Sequence, residues 1–381
     1  EHTSRPLLSS TAYIAMSSSP SHKRKRISPS TSSSSPVLGH NIRGHDSLLG
    51  DSTSHKRTLS SDLCHAPLSA HEYRAMRQFL GDISVSSLMN TRPLVEASST
   101  DTIEQGLTIL RTCAISSLPI YDTLSRMYVG MVDALDLAAF VVSSYTRLQA
   151  HAQADDADLV VVFGQQLGDV MNMSQANYMA PVLDSASLLE AAENYLQNGW
   201  HRVLVVSSDL PSSRRMQDVL GMVTQSDLVA TLHESTASAV QAFKCRTLLE
   251  LGVVEPEFQI GVASVTLQHT LLQALELMLE NSYSGIAVVD DAGKIVNCVS
   301  ASDVKGISKD NFSMLSTPLG ELLDSGKKLP VVKMRPYATL GECMAKFVST
   351  GVHRIFLVDD EDIPIDVLTL TDLIRIIMSP R

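Results

Sequence analysis

A short stretch of grammar occurs four times in this chain, and it limits the fold more than any other feature. Gly221-Met222-Val223-Thr224-Gln225-Ser226-Asp227-Leu228-Val229 reads as a strand end, a polar residue, and an Asp three positions later at the start of an apolar helix. The same order is found in Gly130-Met131-Val132-Asp133-Ala134-Leu135-Asp136-Leu137. It returns in Asn297-Cys298-Val299-Ser300-Ala301-Ser302-Asp303-Val304 and in Asp366-Val367-Leu368-Thr369-Leu370-Thr371-Asp372-Leu373. Four copies make an internal repeat, which has to be settled before other assignments. The aspartates stand 91, 76 and 69 residues apart. A unit of roughly 60 residues, with two helices on one small sheet, leaves a sheet face bare. The expectation is therefore two paired modules, repeat 1 with 2 and repeat 3 with 4.

Each repeat reads strand, helix, strand, strand, helix. In the first, Val85 to Met89 is a helical turn, Pro93-Leu94-Val95 a strand, and Thr102 caps a helix whose Ile103, Leu107 and Leu110 fall at helical spacing. Leu118 to Tyr121 and Met127 to Val132 are strands. The second repeat starts at Gly168-Asp169-Val170-Met171 and carries the strand His201 to Val206. The third has Leu271 to Leu279 as helix and Gly285 to Val289 as strand, turning at Asp290-Asp291-Ala292-Gly293. The fourth contains Val331-Val332, a helix from Thr339 to Phe347 and the strand His353 to Val358. The expected organisation is a tail over 1–68, repeat 1 over 69–145, a polar linker over 146–162, repeat 2 over 163–236, repeat 3 over 243–310 and repeat 4 over 314–381.

The tail is a different material. Seventeen of its first sixty residues are serine and it shows no apolar period, so it cannot bury enough surface to offset the entropy of ordering. Met16 is a candidate natural start. Lys23-Arg24-Lys25-Arg26 resembles a short nuclear-import signal, and Ser28 and Ser60 are candidate phosphorylation sites. Cytoplasmic and nuclear locations are both expected. Residues 1–80 hold ten Lys/Arg against five Asp/Glu, whereas the rest holds twenty against thirty-six, a basic tail on an acidic body. That body argues against nucleic acid as the main partner. Five scattered cysteines without a C-x-x-C pair argue against a disulfide framework or a structural zinc site. No apolar run reaches the length of a membrane span. Gly-x-Ser-x-Gly, a phosphate loop ending in Gly-Lys-Ser/Thr, and His-Glu-x-x-His are all missing, so the chain is not expected to be an enzyme. The turn Asp359-Asp360-Glu361-Asp362 lacks calcium-loop spacing and reads as a solvated hairpin.

The layout resembles the cystathionine-β-synthase (CBS) repeat over roughly residues 70–379. The likeness is strongest in Val352-His353-Arg354-Ile355-Phe356-Leu357-Val358-Asp359 together with Val367 to Leu373, and clear in Gly130-Met131-Val132 with Asp136. The implied fold is α/β, four CBS repeats paired as two tandem modules. Four such repeats without a catalytic domain look like the gamma subunit of AMP-activated protein kinase. Fungal inhibitors of type-2A-like phosphatases, with a serine-rich tail, also look like this.

The resemblance implies an adenine-nucleotide ligand (AMP, ADP or ATP) and no other cofactor. Its partners would be the catalytic and scaffold subunits of a Ser/Thr kinase, or alternatively a phosphatase. A carboxylate can accept both hydroxyls of a ribose diol. By resemblance Asp136, Asp227, Asp303 and Asp372 take that role, and the hydroxyls of Thr224, Ser300 and Thr369 help hold ribose or phosphate. Repeat 1 has Asp133 in their place, and a second carboxylate repels phosphate. Thr224-x-x-Asp227 and Thr369-x-x-Asp372 also match a helix-capping box, and the two roles can coexist. By the same resemblance His201-Arg202 and His353-Arg354 bind phosphate, which suits the planar arginine fork. Repeats 1 and 3 show Ile115-Ser116 and Ser282-Tyr283 there, so the sites should be unequal. Lys305 reads as a surface lysine.

Overall fold

The computed structural model describes residues 68–89, 94–150, 156–175, 179–209, 215–254, 262–324 and 331–379. The basic cluster at 23–26, Ser28 and Ser60 lie outside them, as do Pro93 and residues 151–155 of the expected linker. All the described residues belong to the unit Ser54–Arg381.

Helix α1 (Ala70–Gly81) leads into repeat 1, which holds β1 (Ala97–Ser98), α2 (Ile103–Thr112), β2 (Ser117–Asp122), β3 (Met127–Asp133) and α3 (Ala134–Ala150). After α4 (Asp156–Phe163) comes repeat 2, with β4 (Pro181–Leu183), α5 (Leu188–Asn194), β5 (Arg202–Val206), β6 (Val219–Thr224) and α6 (Gln225–Glu234). Helix α7 (Ser238–Lys244) precedes repeat 3, which has β7 (Ser264–Thr266), α8 (Leu271–Glu280), β8 (Gly285–Val289) and β9 (Ile295–Ser300). Helix α9 (Leu319–Asp324) precedes β10 (Lys333–Met334), α10 (Leu340–Thr350), β11 (Arg354–Val358), β12 (Pro364–Thr369) and α11 (Leu370–Met378).

Each repeat builds one three-stranded sheet whose first strand runs parallel to the middle one and whose third runs antiparallel. The helices start where hydroxyl residues can cap them. Thr102, Thr270 and Thr339 form reciprocal capping boxes with Gln105, Gln273 and Glu342, which satisfies backbone donors that a helix start leaves open. Successive side chains of a strand point to opposite faces, and both faces are buried here. Ile286 and Val288 of β8 join one helical core, while Ala287 and Val289 meet Phe356 and Val358 of β11 across a sheet-to-sheet layer. Ile355 and Leu357 of β11 face another helical core. One large core is thus made by repeats 2 and 4 with α1, and a second by repeats 1 and 3.

The turn that opens each repeat is docked on its partner. Val85 N–H donates to Ala186 O (2.9 Å) and Leu188 N–H to Ile83 O (2.7 Å), so the turn at Val85–Leu88 binds repeat 2. In exchange Ile103 N–H donates to Gln165 O (2.9 Å) and Leu167 N–H to Asp101 O (2.8 Å), placing the turn at Leu167–Val170 on repeat 1. Repeats 3 and 4 repeat the exchange through Leu248–Ala338, Leu340–Arg246, Leu271–Thr317 and Leu319–His269. The modules are therefore interlocked, 1 with 2 and 3 with 4.

Five local expectations need correction. The first strand is Ala97–Ser98 rather than 93–95, and that of repeat 4 is Lys333–Met334 rather than 331–332, because these residues match the register of the middle strand. The described parts of 146–162 are helical, not a polar linker. Val162 and Phe163 are buried, and the Phe163 ring meets Phe312 edge-on at 5.7 Å. The pattern from Ser187 to Gln197 predicts one helix, but the chain breaks at Tyr195 (φ −130°) into α5 and a short 3-10 turn. Around Asp303 the chain makes a 3-10 turn, Ala301–Gly306, in place of the expected α-helix, followed by a second one held by the Ser308–Asn311 cap.

Candidate anion-binding site

Strand register determines which residues are equivalent. Arg202 pairs with Thr224 and Arg354 with Thr369, at the mouth of each hairpin. In repeats 1 and 3 the corresponding pairs are Ser117 with Asp133 and Gly285 with Ser300. The counterparts of His201-Arg202 and His353-Arg354 are therefore Ser116-Ser117 and Ser284-Gly285, not Ile115-Ser116 and Ser282-Tyr283. In repeat 3 these small residues face the arginine of repeat 4. Arg354 lies over Gly285, where a Cβ would fall 2.0 Å from Nη1, and its Nη2 donates to the Ser284 carbonyl and to Ser284 Oγ, both at 2.7 Å.

Arg202, Arg354, His201, His353 and Lys305 form one electrostatic cluster drawn from repeats 2, 3 and 4. His201 and His353 reach solvent, yet desolvation dominates their titration, a combination expected of a concave wall. Burial, aided by Arg202, pushes His201 down to about 4. Burial, then Arg354, Arg202, His201 and Lys305, push His353 down to about 3. Burial also lowers the basicity of both arginines, opposed at Arg202 by Asp133 and Asp136 and at Arg354 by Cys298 and Asp303. Lys305 is shifted down by burial and by Arg202, against Asp303, so it belongs to the cluster rather than to the outer surface. Arg202 makes no hydrogen bond or ion pair among the described residues, and its Nε is buried without a partner. Cations crowded in this way, one of them unsatisfied, are chemically suited to pair with a multiply charged anion.

The four aspartates differ. Asp227, Asp303 and Asp372 are half-buried at helix starts. Thr224 and Thr369 each donate their backbone N–H and hydroxyl to the Oδ2 of the Asp three residues on, at 2.7–3.1 Å. Ser300 does the same to Asp303, at 2.7 and 3.2 Å. The hydroxyls of Thr224 and Thr369 also accept the N–H of that Asp (3.2 Å) and so cap the helix, and in all three repeats one carboxylate oxygen is committed to the fold. Asp136 is closed off. It is 0% exposed, its Oδ1 accepts Ser174 N–H (2.8 Å) and Oγ–H (2.6 Å), and its Oδ2 accepts Asp133 N–H (3.1 Å). Burial and the adjacent Asp133 raise its pKa against the Ser174 bonds. The ribose role expected of Asp136 has no open oxygen here.

Ser284, Ser174 and the membership of Lys305 were not found from sequence. One signal was available for Ser284: Gly285 precedes Asp303 by eighteen residues, as Arg354 precedes Asp372. Among the described residues no cluster of His, Cys, Asp or Glu is arranged to hold a metal, and no helix is long and apolar enough to cross a membrane.

Residues 259–309 and 327–379 match the CBS domain family model. The chain therefore carries CBS domains over those residues, within the paired α/β modules described above. Among particular proteins it is similar to gamma subunits of AMP-activated protein kinase and their plant counterparts. It is 24% identical to 5'-AMP-activated protein kinase subunit gamma-3 of Bos taurus, over 73% of this chain and 54% of that one. It is 24% identical to the SNF1-related protein kinase regulatory subunit gamma-like PV42a of Arabidopsis thaliana, over 76% of this chain and 93% of that one. Protein sds23 of Neosartorya fischeri is 29% identical over 51% of this chain and 36% of its own length. The chain thus spans only part of the bovine and fungal relatives. A solved structure from Methanocaldococcus jannaschii, named as a candidate archaeal homolog of γ-AMPK, has the same fold. It aligns with a TM-score of 0.59 at 15% identity, covering 77% of this chain and 99% of that one.

Proposed function

We propose that this chain is a regulatory subunit that binds AMP, ADP or ATP at the cation cluster and serves as a gamma-type subunit of an energy-sensing Ser/Thr protein kinase. One observation carries the reading: Arg202, Arg354, Lys305 and two histidines converge from three repeats, with Arg202 Nε buried and unpaired. Phosphate oxygens would satisfy the guanidinium forks, and the ribose diol would take an oxygen of Asp227, Asp303 or Asp372. Because the cluster spans both modules, a ligand that neutralises it favours the arrangement in which the modules approach. A partner kinase can read that change only if nucleotide binds the two arrangements with different affinity.

Calorimetric titration of the full chain with AMP and with ATP tests the reading. Heat that is lost in Arg202→Ala and Arg354→Ala supports it, and no heat at millimolar nucleotide removes it. A second reading is an interaction protein that restrains a type-2A-like phosphatase, with nucleotide optional. It is supported by the serine-rich basic tail and by the fungal resemblance seen in the sequence. Affinity purification separates the two, since recovery of phosphatase without kinase subunits favours the second.

A further inference from the structure

Repeats 2 and 4 meet through two polar residues whose counterparts in the other repeats are not polar. The residue after the helix cap is Gln225 in repeat 2, but Ala134, Ala301 and Leu370 elsewhere. Three residues after the repeated Asp stands Arg375 in repeat 4, but Ala139, Ala230 and Gly306 elsewhere. Both side chains reach one place, the 3-10 turn Leu196–Asn198 that follows the break in α5. Gln225 Nε2 donates to Leu196 O (2.9 Å), and Arg375 Nε donates to Gln197 O (2.7 Å). The corresponding helices α2, α8 and α10 run without that break and offer no such turn.

The turn lies directly before the cation pair. Only Gly199, at φ +91°, and Trp200 separate it from His201-Arg202. Trp200 folds back on the turn, with its ring centroid 5.1 Å from that of Tyr195 and its N–H on Tyr195 O (3.3 Å). The backbone N–H of Gln225 donates to His201 O (3.0 Å), so this one buried residue holds both ends of the loop. The other side of the clamp is the start of α11. Gln225 Nε2 also donates to Thr371 Oγ1 (2.8 Å). Arg375 Nη1 stands 3.8 Å from Asp372 Oδ1, whereas the bonds from Thr369 go to Oδ2.

We propose that Gln225 and Arg375 are positioning residues for Arg202, and that they couple a ligand held by Asp372 of repeat 4 to the cations of repeat 2. The inference rests on the nucleotide-binding reading given above. A sugar hydroxyl on Asp372 Oδ1 takes the oxygen beside Arg375, and the Nε of that arginine holds the turn in front of Arg202. The link is a contiguous set of hydrogen bonds and one ion pair, which is the kind of network that carries energy between sites. Coupling of this sort is reciprocal, so filling either end favours the other by the same factor.

The test gives each position the alanine found in other repeats. Gln225→Ala and Arg375→Ala are made in the full chain, alone and combined with Arg202→Ala. Arg375→Lys serves as the conservative variant, since it keeps a donor for Gln197 O. Thermal melts establish that each variant is folded. All are titrated with AMP and with adenosine, and Trp200, the single tryptophan, reports the turn through quenching by acrylamide. Each alanine should weaken AMP about tenfold, within the range shown by residues of one network, and hardly at all once Arg202 is gone. Adenosine, which has no phosphate for Arg202, should change much less, and Arg375→Lys should recover most of the AMP affinity. Quenching of Trp200 should rise in both alanine variants. A merely structural role would weaken both ligands alike, with or without Arg202. That result, or quenching that stays the same, overturns the proposal while the nucleotide reading stands. If the natural chain binds no nucleotide, both fall together.

Discussion

Replacing Gly285 by alanine should unseat Arg354. The new Cβ would lie 2.0 Å from Nη1, 2.3 Å from Cζ and 2.8 Å from Nε, where contacts of about 3.5–4.0 Å are normal. The strand has no reason to move, because Gly285 lies in the regular ladder of β8, opposite Ser300. The guanidinium, at the end of a flexible side chain, must swing away by more than an ångström. It then loses both bonds from Nη2 to Ser284. A hydrogen bond to a charged group is worth about 1.5–3 kcal/mol, and water recovers part of the loss for a group at a cleft wall. The expected destabilisation is about 2 kcal/mol, or roughly 3 °C in Tm for a unit of this size. Calorimetry on Gly285→Ala, Arg354→Ala and the double variant forms a cycle in which Gly285→Ala should be nearly silent once Arg354 is gone. An equal cost with and without Arg354 would refute the seating of the arginine on the glycine.

Other outcomes follow from the same geometry. His201 and His353 sit well below their ordinary value of 6.5 in the fold, so the unfolded chain protonates first as pH falls. Their contribution to stability is complete above about 6.5 and is lost as pH drops toward about 4 for His201 and about 3 for His353. Denaturation midpoints across that interval should flatten in the His201→Ala, His353→Ala double variant, and an unchanged slope would contradict the desolvation of these rings at the concave wall. Gln225 is 3% exposed and its Nε2 donates to Leu196 O (2.9 Å) and Thr371 Oγ1 (2.8 Å), joining repeats 2 and 4. Gln225→Leu should lower stability in urea by about 1 kcal/mol, since it removes the donor to Thr371 Oγ1 and leaves the Leu196 carbonyl only its long bond from Gly199 N–H (3.4 Å). Arg246 is 4% exposed, with Nε and Nη1 unpartnered and one ion pair to Glu72 at 3.5 Å. Arg246→Met should be neutral or stabilising by about 1 kcal/mol, and a loss above about 3 kcal/mol would show that its charge is needed.

Legibility from sequence followed the range of the interactions. The helix starts were readable because the cap is local: Thr224 and Asp227, or Thr369 and Asp372, are three residues apart and bond to each other. Strand cores were readable because Val203, Leu204, Val205 and Val206 form one apolar run. The interlocked turns were not, since Val85 and Ala186 meet through backbone atoms that leave no side-chain pattern. The pocket for Arg354 was missed for a related reason. A serine and a glycine in one repeat mean little until the arginine of another is known to lie on them. Asp136 matched the motif as well as its three counterparts, yet Ser174, thirty-eight residues away, occupies its free oxygen. Lys305 read as a surface residue because its spacing from Asp303 gives no hint of the arginine from repeat 2 that stands near it.

The most direct test of the account is a crystal structure of the full chain grown with AMP. The account predicts phosphate density within hydrogen-bonding distance of Arg202 and Arg354, with the ribose hydroxyls on Asp227, Asp303 or Asp372 and none on Asp136. An empty cluster at saturating AMP, or nucleotide bound elsewhere on the surface, would contradict it.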